Sequence, residues 1–291
     1  MSDWARAGVL GRSRMIVDVL RATHRRFVRD RMVDGAAGLA FYMLFSLIPM
    51  LLIFGAIINL LGADAAHDLV DLAHDEGASA SLEGALEGAL DTAVKSAPEG
   101  AGAIGLVGLA TLFYGASRGI TAAGRALDVI AGRDVLARPL LRRAQDVGWT
   151  IVLLLLVGVL LGLVFVTGGL FDRLAELVGL GHVGTAVWDV LHWPFAFLVG
   201  MVVVALVVFT APSERPRAFR PWTFGSLFTV LVFLTASAVY AVYIANIADH
   251  NATYGAFAAI VILMLWAWMA SLAFLFGAEL DTELDAGRPG L

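Results

Sequence analysis

An uncharged apolar run at residues 38–62 contains four residues that can form hydrogen bonds or bend a helix: Tyr42, Ser46, Pro49 and Asn59. Tyr42 and Ser46 are four residues apart, so a helix presents both on one face. Proline inside a helix removes one backbone hydrogen bond, and lipid cannot satisfy the carbonyl group that is left free. Neighbouring helices or a wet cavity must therefore cover this face. The pattern is compatible with a kinked helix in a packed bundle and with a helix that lines a substrate path.

Charged residues at the ends of two later apolar runs form a second candidate site. Arg118 ends the second run and Glu279 follows the last run. Their side chains could form an ion pair that joins two helix ends, although an exposed pair adds little stability. Alternatively, Arg118 and Arg125 lie seven residues apart on one helical face, where their guanidinium groups suit an anionic headgroup. Structural anchoring and anion binding both stay open.

Three residues with the spacing of metal ligands lie in the acidic stretch 63–100. His67, Asp71 and His74 are spaced i, i+4 and i+7, so one helix face could present all three to a divalent metal. A solvated face of an acidic helix explains them more simply, and metal binding is the weaker interpretation. The same stretch repeats leucine and alanine at helical spacing, which predicts a short amphipathic helix.

The motifs that the chain lacks argue against an enzyme. It has no cysteine, which excludes disulfides, thiolate metal sites and cysteine nucleophiles. No P-loop, HExxH or GxSxG motif occurs, so ATP is not the direct energy source and hydrolysis is not favoured. No ionisable residue lies deep in a predicted span, which argues against a proton relay through the membrane. We expect no enzyme activity, no cofactor and no nucleic-acid partner.

Composition and hydropathy predict an integral membrane protein. Of 291 residues, 59% are hydrophobic and only 15% are charged, whereas charged residues make up about 25% of soluble proteins. Six apolar runs have the length of membrane spans, at residues 38–62, 101–117, 147–171, 190–211, 222–248 and 253–278. The predicted fold is an all-α integral membrane protein with six transmembrane helices, an N-terminal amphipathic interfacial helix and a small helical extracytoplasmic loop.

The distribution of basic residues predicts the orientation. Residues 1–37, the second and fourth loops and the tail carry 18 of the 20 basic residues. Basic loops stay in the cytoplasm, so both termini are predicted to be cytoplasmic. Residues 1–37 form a basic amphipathic segment suited to anionic headgroups. A six-helix transmembrane domain at 38–284 and a cytoplasmic tail at 285–291 complete the predicted organisation.

Three segments resemble the YihY/BrkB family of bacterial inner-membrane proteins. They are AAGLAFYMLFSLIP at 36–49, LFYGASRG at 112–119, and YGAF at 254–257 with Trp266 and GAEL at 277–280. Asp128 and Asp281 depart from the family pattern, which more often has asparagine there. The resemblance implies a six-span helical bundle with cytoplasmic termini. Members of the family are suspected of moving envelope lipids or lipid-linked precursors.

The preferred hypothesis is a protein that moves lipids or lipid-like amphiphiles, with membrane lipids as its partners. The first span and the Arg118 region would form a groove, in which Tyr42, Ser46 and Asn59 offer hydrogen bonds to a headgroup. One alternative is a scaffold whose acidic loop, 63–100, recruits an envelope protein. The other is an oligomeric channel with Pro49 as a gate hinge. The sequence does not decide the oligomeric state.

Overall fold

The computed structural model describes residues 17–61, 101–133, 140–165, 181–214, 219–247 and 255–286. Within these ranges all regular structure is helical, which confirms the all-α prediction for this part of the chain. The helices are α1 at 17–29, α2 at Met32–Leu61, α3 at Ala101–Ile130, α4 at Leu140–Phe165, α5 at Gly181–Thr210, α6 at Phe224–Ile247 and α7 at Gly255–Ala286. The acidic stretch 63–100, with the candidate ligands His67, Asp71 and His74, lies outside the described residues.

Several helices continue beyond the apolar runs that predicted them. The predicted second span ends at residue 117, but α3 continues to Ile130, so Arg118 lies inside a helix. Charged residues end a hydrophobic run without ending a helix, because the segment after Arg118 still has alanine and leucine at helical spacing. Similarly, α7 passes Glu279 and ends at Ala286. Helix α2 remains helical through Pro49.

The outer surface of the bundle is apolar over much of its area. Leu155 on α4 and Val239 on α6 are 66% and 63% exposed. Among the described residues, one helix, Val261–Ala286 within α7, is long and apolar enough to cross a membrane, and four apolar stretches are shorter. Soluble monomers rarely expose large continuous apolar patches. A surface of this kind fits lipid better than water.

The main packing contacts join α2 to α3, α6 to α7, and α7 to α2. A core cluster forms where α1, α2, α3 and α7 meet, and it includes Phe27, Ala36, Leu127, Ile130 and Leu275. The Phe27 ring lies 5.6 Å from the ring of Phe276, which docks α1 on α7. Helix α1 therefore packs against the bundle through one face, while its arginine-rich face is exposed.

Contacts between helix ends bring distant parts of the chain to one end of the bundle. Arg26 of α1 pairs with Glu283 of α7, and Arg220, before α6, lies 3.3 Å from Asp285 of α7. Arg133, after α3, donates a hydrogen bond of 2.9 Å to the carbonyl oxygen of Glu214, after α5. We call this end, which carries Arg26, Arg29, Arg133 and Arg220, the basic end.

The start of α6 is held by two sets of capping hydrogen bonds. The Thr223 hydroxyl accepts from the Ser226 backbone N–H at 3.0 Å, and the Ser226 hydroxyl accepts from the Thr223 N–H at 3.1 Å. This reciprocal pair is a capping box with serine in place of the usual Glu or Gln. Asp281 of α7 then accepts the Gly225 N–H at 2.7 Å. A carboxylate of one helix thus completes the N-terminus of its neighbour.

Candidate functional site

A cavity of about 280 Å³ lies at the basic end, between the ends of α3, α5 and α7 and the start of α6. Its apolar wall includes Ile130, Val204, Ala205, Val208 and Phe274. Its polar wall includes Arg133, Arg220, Thr223, Asp281 and Asp285. Ligand sites are typically apolar clefts in which a few polar groups fix the ligand orientation. The arrangement suits a molecule with one apolar and one charged part.

The two arginines of the cavity are each held by an acidic residue. The Nε atom of Arg133 lies 3.5 Å from the Glu214 carboxylate, in addition to the hydrogen bond to the Glu214 carbonyl oxygen. Arg220 contacts both carboxylate oxygens of Asp285, at 3.3 and 3.4 Å. A guanidinium group has five N–H donors, so these contacts occupy only part of each group. Both side chains can therefore bind an additional anionic group.

Asp281 lines the cavity and also fixes its wall. One carboxylate oxygen accepts the Gly225 N–H, so the side chain is bound to the start of α6. Burial raises the pKa of Asp281, while hydrogen bonds from Thr223 and Gly225 lower it. Since the contact to α6 needs only an acceptor oxygen, Asp281 keeps this role in either protonation state.

The other departure from the family pattern, Asp128, also anchors backbone. It is fully buried near the end of α3. Its carboxylate accepts the Ser213 N–H at 2.8 and 3.1 Å and the Ser213 hydroxyl at 2.5 Å. Asp128 therefore joins α3 to the segment after α5, next to the cavity residue Pro212. Both aspartates contact a neighbouring element, as an asparagine oxygen at the same position also could.

The structure places Tyr42 and Ser46 in the contact between α2 and α3. The Ser46 hydroxyl donates to the Tyr42 carbonyl oxygen at 2.7 Å, within its own helix. A Cβ atom added to Gly115 would lie 3.1 Å from the Ser46 Cβ, and one added to Gly119 would lie 3.6 Å from the Tyr42 Cβ. Two glycines four residues apart thus let α3 approach this face. Pro49 and Asn59 belong to α2, but their side chains lie outside the described set.

The structure separates the charged residues that the sequence analysis combined. The Arg118 guanidinium lies 5.3 Å from the centre of the Tyr114 ring, and Arg118 is exposed. Glu279 is fully buried, and no hydrogen-bond partner contacts either of its carboxylate oxygens. The proposed Arg118–Glu279 pair is therefore not formed. Arg125 is exposed on α3, as expected of a surface cation.

Sequence reasoning missed the residues that line the cavity. The sequence analysis used Arg133 and Arg220 only as basic residues that predict the membrane orientation. It noted Asp281 only as a departure from the family pattern. These residues are far apart in the chain, and none has a motif that marks it. The one available signal was the capping sequence from Thr223 to Ser226, which fixes the start of α6 beside the cavity.

A family model described as virulence factor BrkB matches residues 23–290, nearly the whole chain. The chain belongs to the virulence factor BrkB family. The resemblance of the three sequence segments is thereby confirmed. Since relatives are described as membrane proteins of bacteria, this BrkB-family chain is a bacterial membrane protein.

Three bacterial relatives illustrate the similarity. A UPF0761 membrane protein of Aeromonas salmonicida is 27% identical over 87% of this chain and 84% of its own length. Another, of Alkalilimnicola ehrlichii, is 28% identical over 93% of this chain and 59% of its own length. A protein of Bacillus subtilis described as putative ribonuclease-like protein YfkH is 25% identical over 61% of this chain and 64% of its own length. The chain thus spans less than two thirds of the latter two proteins. No solved structure matches it.

Proposed function

We propose that this BrkB-family protein moves lipids or lipid-like amphiphiles across or within the bacterial inner membrane, and that the cavity at the basic end receives the polar headgroup. The observation that carries the proposal is the mixed lining of this cavity, which combines apolar side chains with two arginines. A phospholipid has the same division between acyl chain and headgroup. No catalytic step is needed.

The proposed orientation places the basic end in the cytoplasm and has the chain cross the membrane six times. Contacts at this end join α1, the segments after α3 and α5, the start of α6 and the end of α7. Along the chain, each segment at the basic end is followed by a helix that leads to the opposite end of the bundle, until α7 returns to the basic end. Arginine-rich segments favour the cytoplasmic side. The cavity would then face the inner leaflet, from which a lipid could enter.

Arginine chemistry supports binding of a phosphate or another anionic group. Guanidinium groups bind phosphate through paired hydrogen bonds, and Arg133 and Arg220 both line the cavity. We also propose that the exposed residues Arg118 and Arg125 attract anionic lipid to the surface of α3 before it enters. Without a nucleotide site, movement would be passive or driven by a gradient or a partner protein.

Filling the cavity should slow lipid movement. Ala205 is buried in the apolar wall, so Ala205→Trp places an indole where an acyl chain would lie. We expect transbilayer movement of fluorescent phospholipids in proteoliposomes to fall at least about tenfold, which corresponds to about 1.4 kcal/mol in the barrier. Leu155→Trp is the matched control, because Leu155 is exposed on α4, away from the cavity. It should leave the rate unchanged.

Two outcomes of this experiment would contradict the proposal. One is the absence of lipid movement above that of empty vesicles with the unmodified protein. The other is an equal rate for Ala205→Trp and the unmodified protein when both retain the same thermal unfolding midpoint. Ala205→Phe, a smaller increase in volume, provides a second variant if the tryptophan variant does not fold.

The two arginine sites should give different kinetic effects. Arg220→Ala removes a charge from the cavity wall, so we expect a lower maximal rate for anionic phospholipid. Arg118→Ala removes only an exposed surface charge, so we expect a higher half-saturating lipid fraction with an unchanged maximal rate. Measuring the initial rate against the mole fraction of anionic lipid separates these effects. A loss of maximal rate in Arg118→Ala alone would place the headgroup site on α3 instead.

A further inference from the structure

Glu279 is a buried charged-type residue that the proposed function does not use. It is on α7, has 0% of its surface exposed, and belongs to the largest fully buried side chains among the described residues. Neither carboxylate oxygen has a hydrogen-bond partner. An ionised carboxylate without partners is strongly disfavoured in such a place, because burial removes the water that would solvate its charge. A neutral carboxylic acid does not carry this penalty.

The cluster around Glu279 contains one more carboxylate than it contains arginines. Two arginines of α1 face it, Arg26 and Arg29, and two carboxylates do so as well, Asp30 from the α1–α2 turn and Glu283 from α7. Arg26 pairs with Glu283. Arg29 pairs with Asp30 through hydrogen bonds of 2.8 and 3.1 Å. Both cations are thus bound to other carboxylates, and three carboxylates share two arginines.

We propose that Glu279 is a proton-binding site, whose carboxyl group holds a proton and donates it to the Asp30 carboxylate. Two ionised carboxylates cannot form a hydrogen bond, because both are acceptors. A single proton between Glu279 and Asp30 supplies the missing donor and balances the charges of the cluster. The resulting hydrogen bond fastens the α1–α2 turn to α7. Loss of the proton leaves two negative charges facing each other and pushes the α1–α2 turn away from α7, while the Phe27–Phe276 and Arg26–Glu283 contacts remain.

Glu279 is expected to lose this proton in the neutral pH range. Burial, followed by the Asp30 carboxylate, raises the pKa of Glu279 to about 7, while Arg26 and Arg29 oppose this rise. By contrast, the hydrogen bond from Arg29 lowers the pKa of Asp30, so Asp30 stays ionised and accepts. The folded protein therefore binds the Glu279 proton more tightly than the unfolded chain does. Its stability should fall as pH rises from about 4.5 to about 7 and should then level off.

Because the 291-residue chain has no cysteine, introduced cysteines can be labelled selectively and give a direct test. Spin labels at Val28→Cys on α1 and Ala286→Cys on α7 report the distance between two exposed positions. We expect this distance to increase between about pH 5 and about pH 9, with a midpoint near 7. Glu279→Gln should keep the short distance at every pH, because its neutral amide donates to Asp30 permanently. Asp285→Asn is the control on the same helix, because Asp285 pairs with Arg220 rather than with this cluster, and it should keep the pH-dependent step.

Infrared spectroscopy measures the proton itself. The unmodified protein should show a carboxylic acid carbonyl band that disappears near neutral pH, and Glu279→Gln should lack this band. The proposal is overturned if no neutral-range band is lost in Glu279→Gln, or if the distance change persists in that variant. It is also overturned if Glu279→Gln does not fold, because that variant mimics the protonated state.

Discussion

Gly277→Ala should destabilise the protein by about 3 kcal/mol, in the upper range for an overpacked site. A Cβ atom on Gly277 would meet the Thr229 hydroxyl and the Gly225 carbonyl oxygen, and would lie 3.2 Å from the Gly225 carbonyl carbon. Two of these atoms are backbone atoms of α6, so α6 as a whole must move. That movement would also strain the hydrogen bond that the Gly225 N–H donates to the Asp281 carboxylate. Thermal or denaturant unfolding in detergent measures the loss.

Gly158→Ala is the control for this prediction. Gly158 lies inside α4, and nothing is within 4 Å of an added Cβ atom. Alanine is the better helix former by about 0.5–1 kcal/mol, so this variant should be equally stable or slightly more stable. If the two substitutions changed stability by the same amount, close approach of α6 and α7 at Gly277 would not be the cause.

Asp128→Ala should also have a large effect, a loss of about 2–4 kcal/mol. The substitution removes the hydrogen bonds that the Ser213 N–H and hydroxyl groups donate to the carboxylate, which join α3 to the segment after α5. Asp128→Asn keeps one acceptor oxygen, so its loss should be less than half as large. Asp18→Ala, at an exposed position of α1, should change stability by less than about 0.5 kcal/mol. Unfolding curves of the three variants provide the comparison.

The ranking of these variants is the informative result. Equal losses for Asp128→Ala and Asp18→Ala would show that the contact between Asp128 and Ser213 contributes nothing. An Asp128→Asn variant as unstable as Asp128→Ala would show that the negative charge matters, rather than the acceptor oxygen. We expect neither, since the carboxylate acts on the Ser213 backbone as a hydrogen-bond acceptor.

Hydrophobic runs and charge counts predicted the helical class and the segments that form helices, because these properties are local. They did not predict helix rotation, which decides what each side chain meets. Tyr42 and Ser46 share a face, as their spacing requires, but this face meets Gly115 and Gly119 of α3. Which helix would cover them depends on packing between distant segments.

Arg118 and Glu279 also show that sequence patterns do not predict which residues meet between helices. Arg118 and Glu279 end two apolar runs at similar depth, and on this basis they appeared suited to pair. In the structure Arg118 lies over Tyr114 at the surface, whereas Glu279 turns inward towards the α1–α2 turn. Docking of α1 on α7 depends on the Phe27–Phe276 contact and the Arg26–Glu283 pair, which join residues about 250 positions apart. No local pattern contains this information.

Photochemical labelling with a headgroup-reactive phospholipid tests the central claim, that the cavity at the basic end receives a lipid headgroup. The protein in liposomes would be irradiated and the labelled residues mapped by mass spectrometry. We predict label on cavity residues of α5, α6 and α7, such as Val208, Ser226 and Thr282, and its loss in Ala205→Trp. Label confined to outward-facing residues such as Leu155 and Val239, and equal in both proteins, would contradict the account.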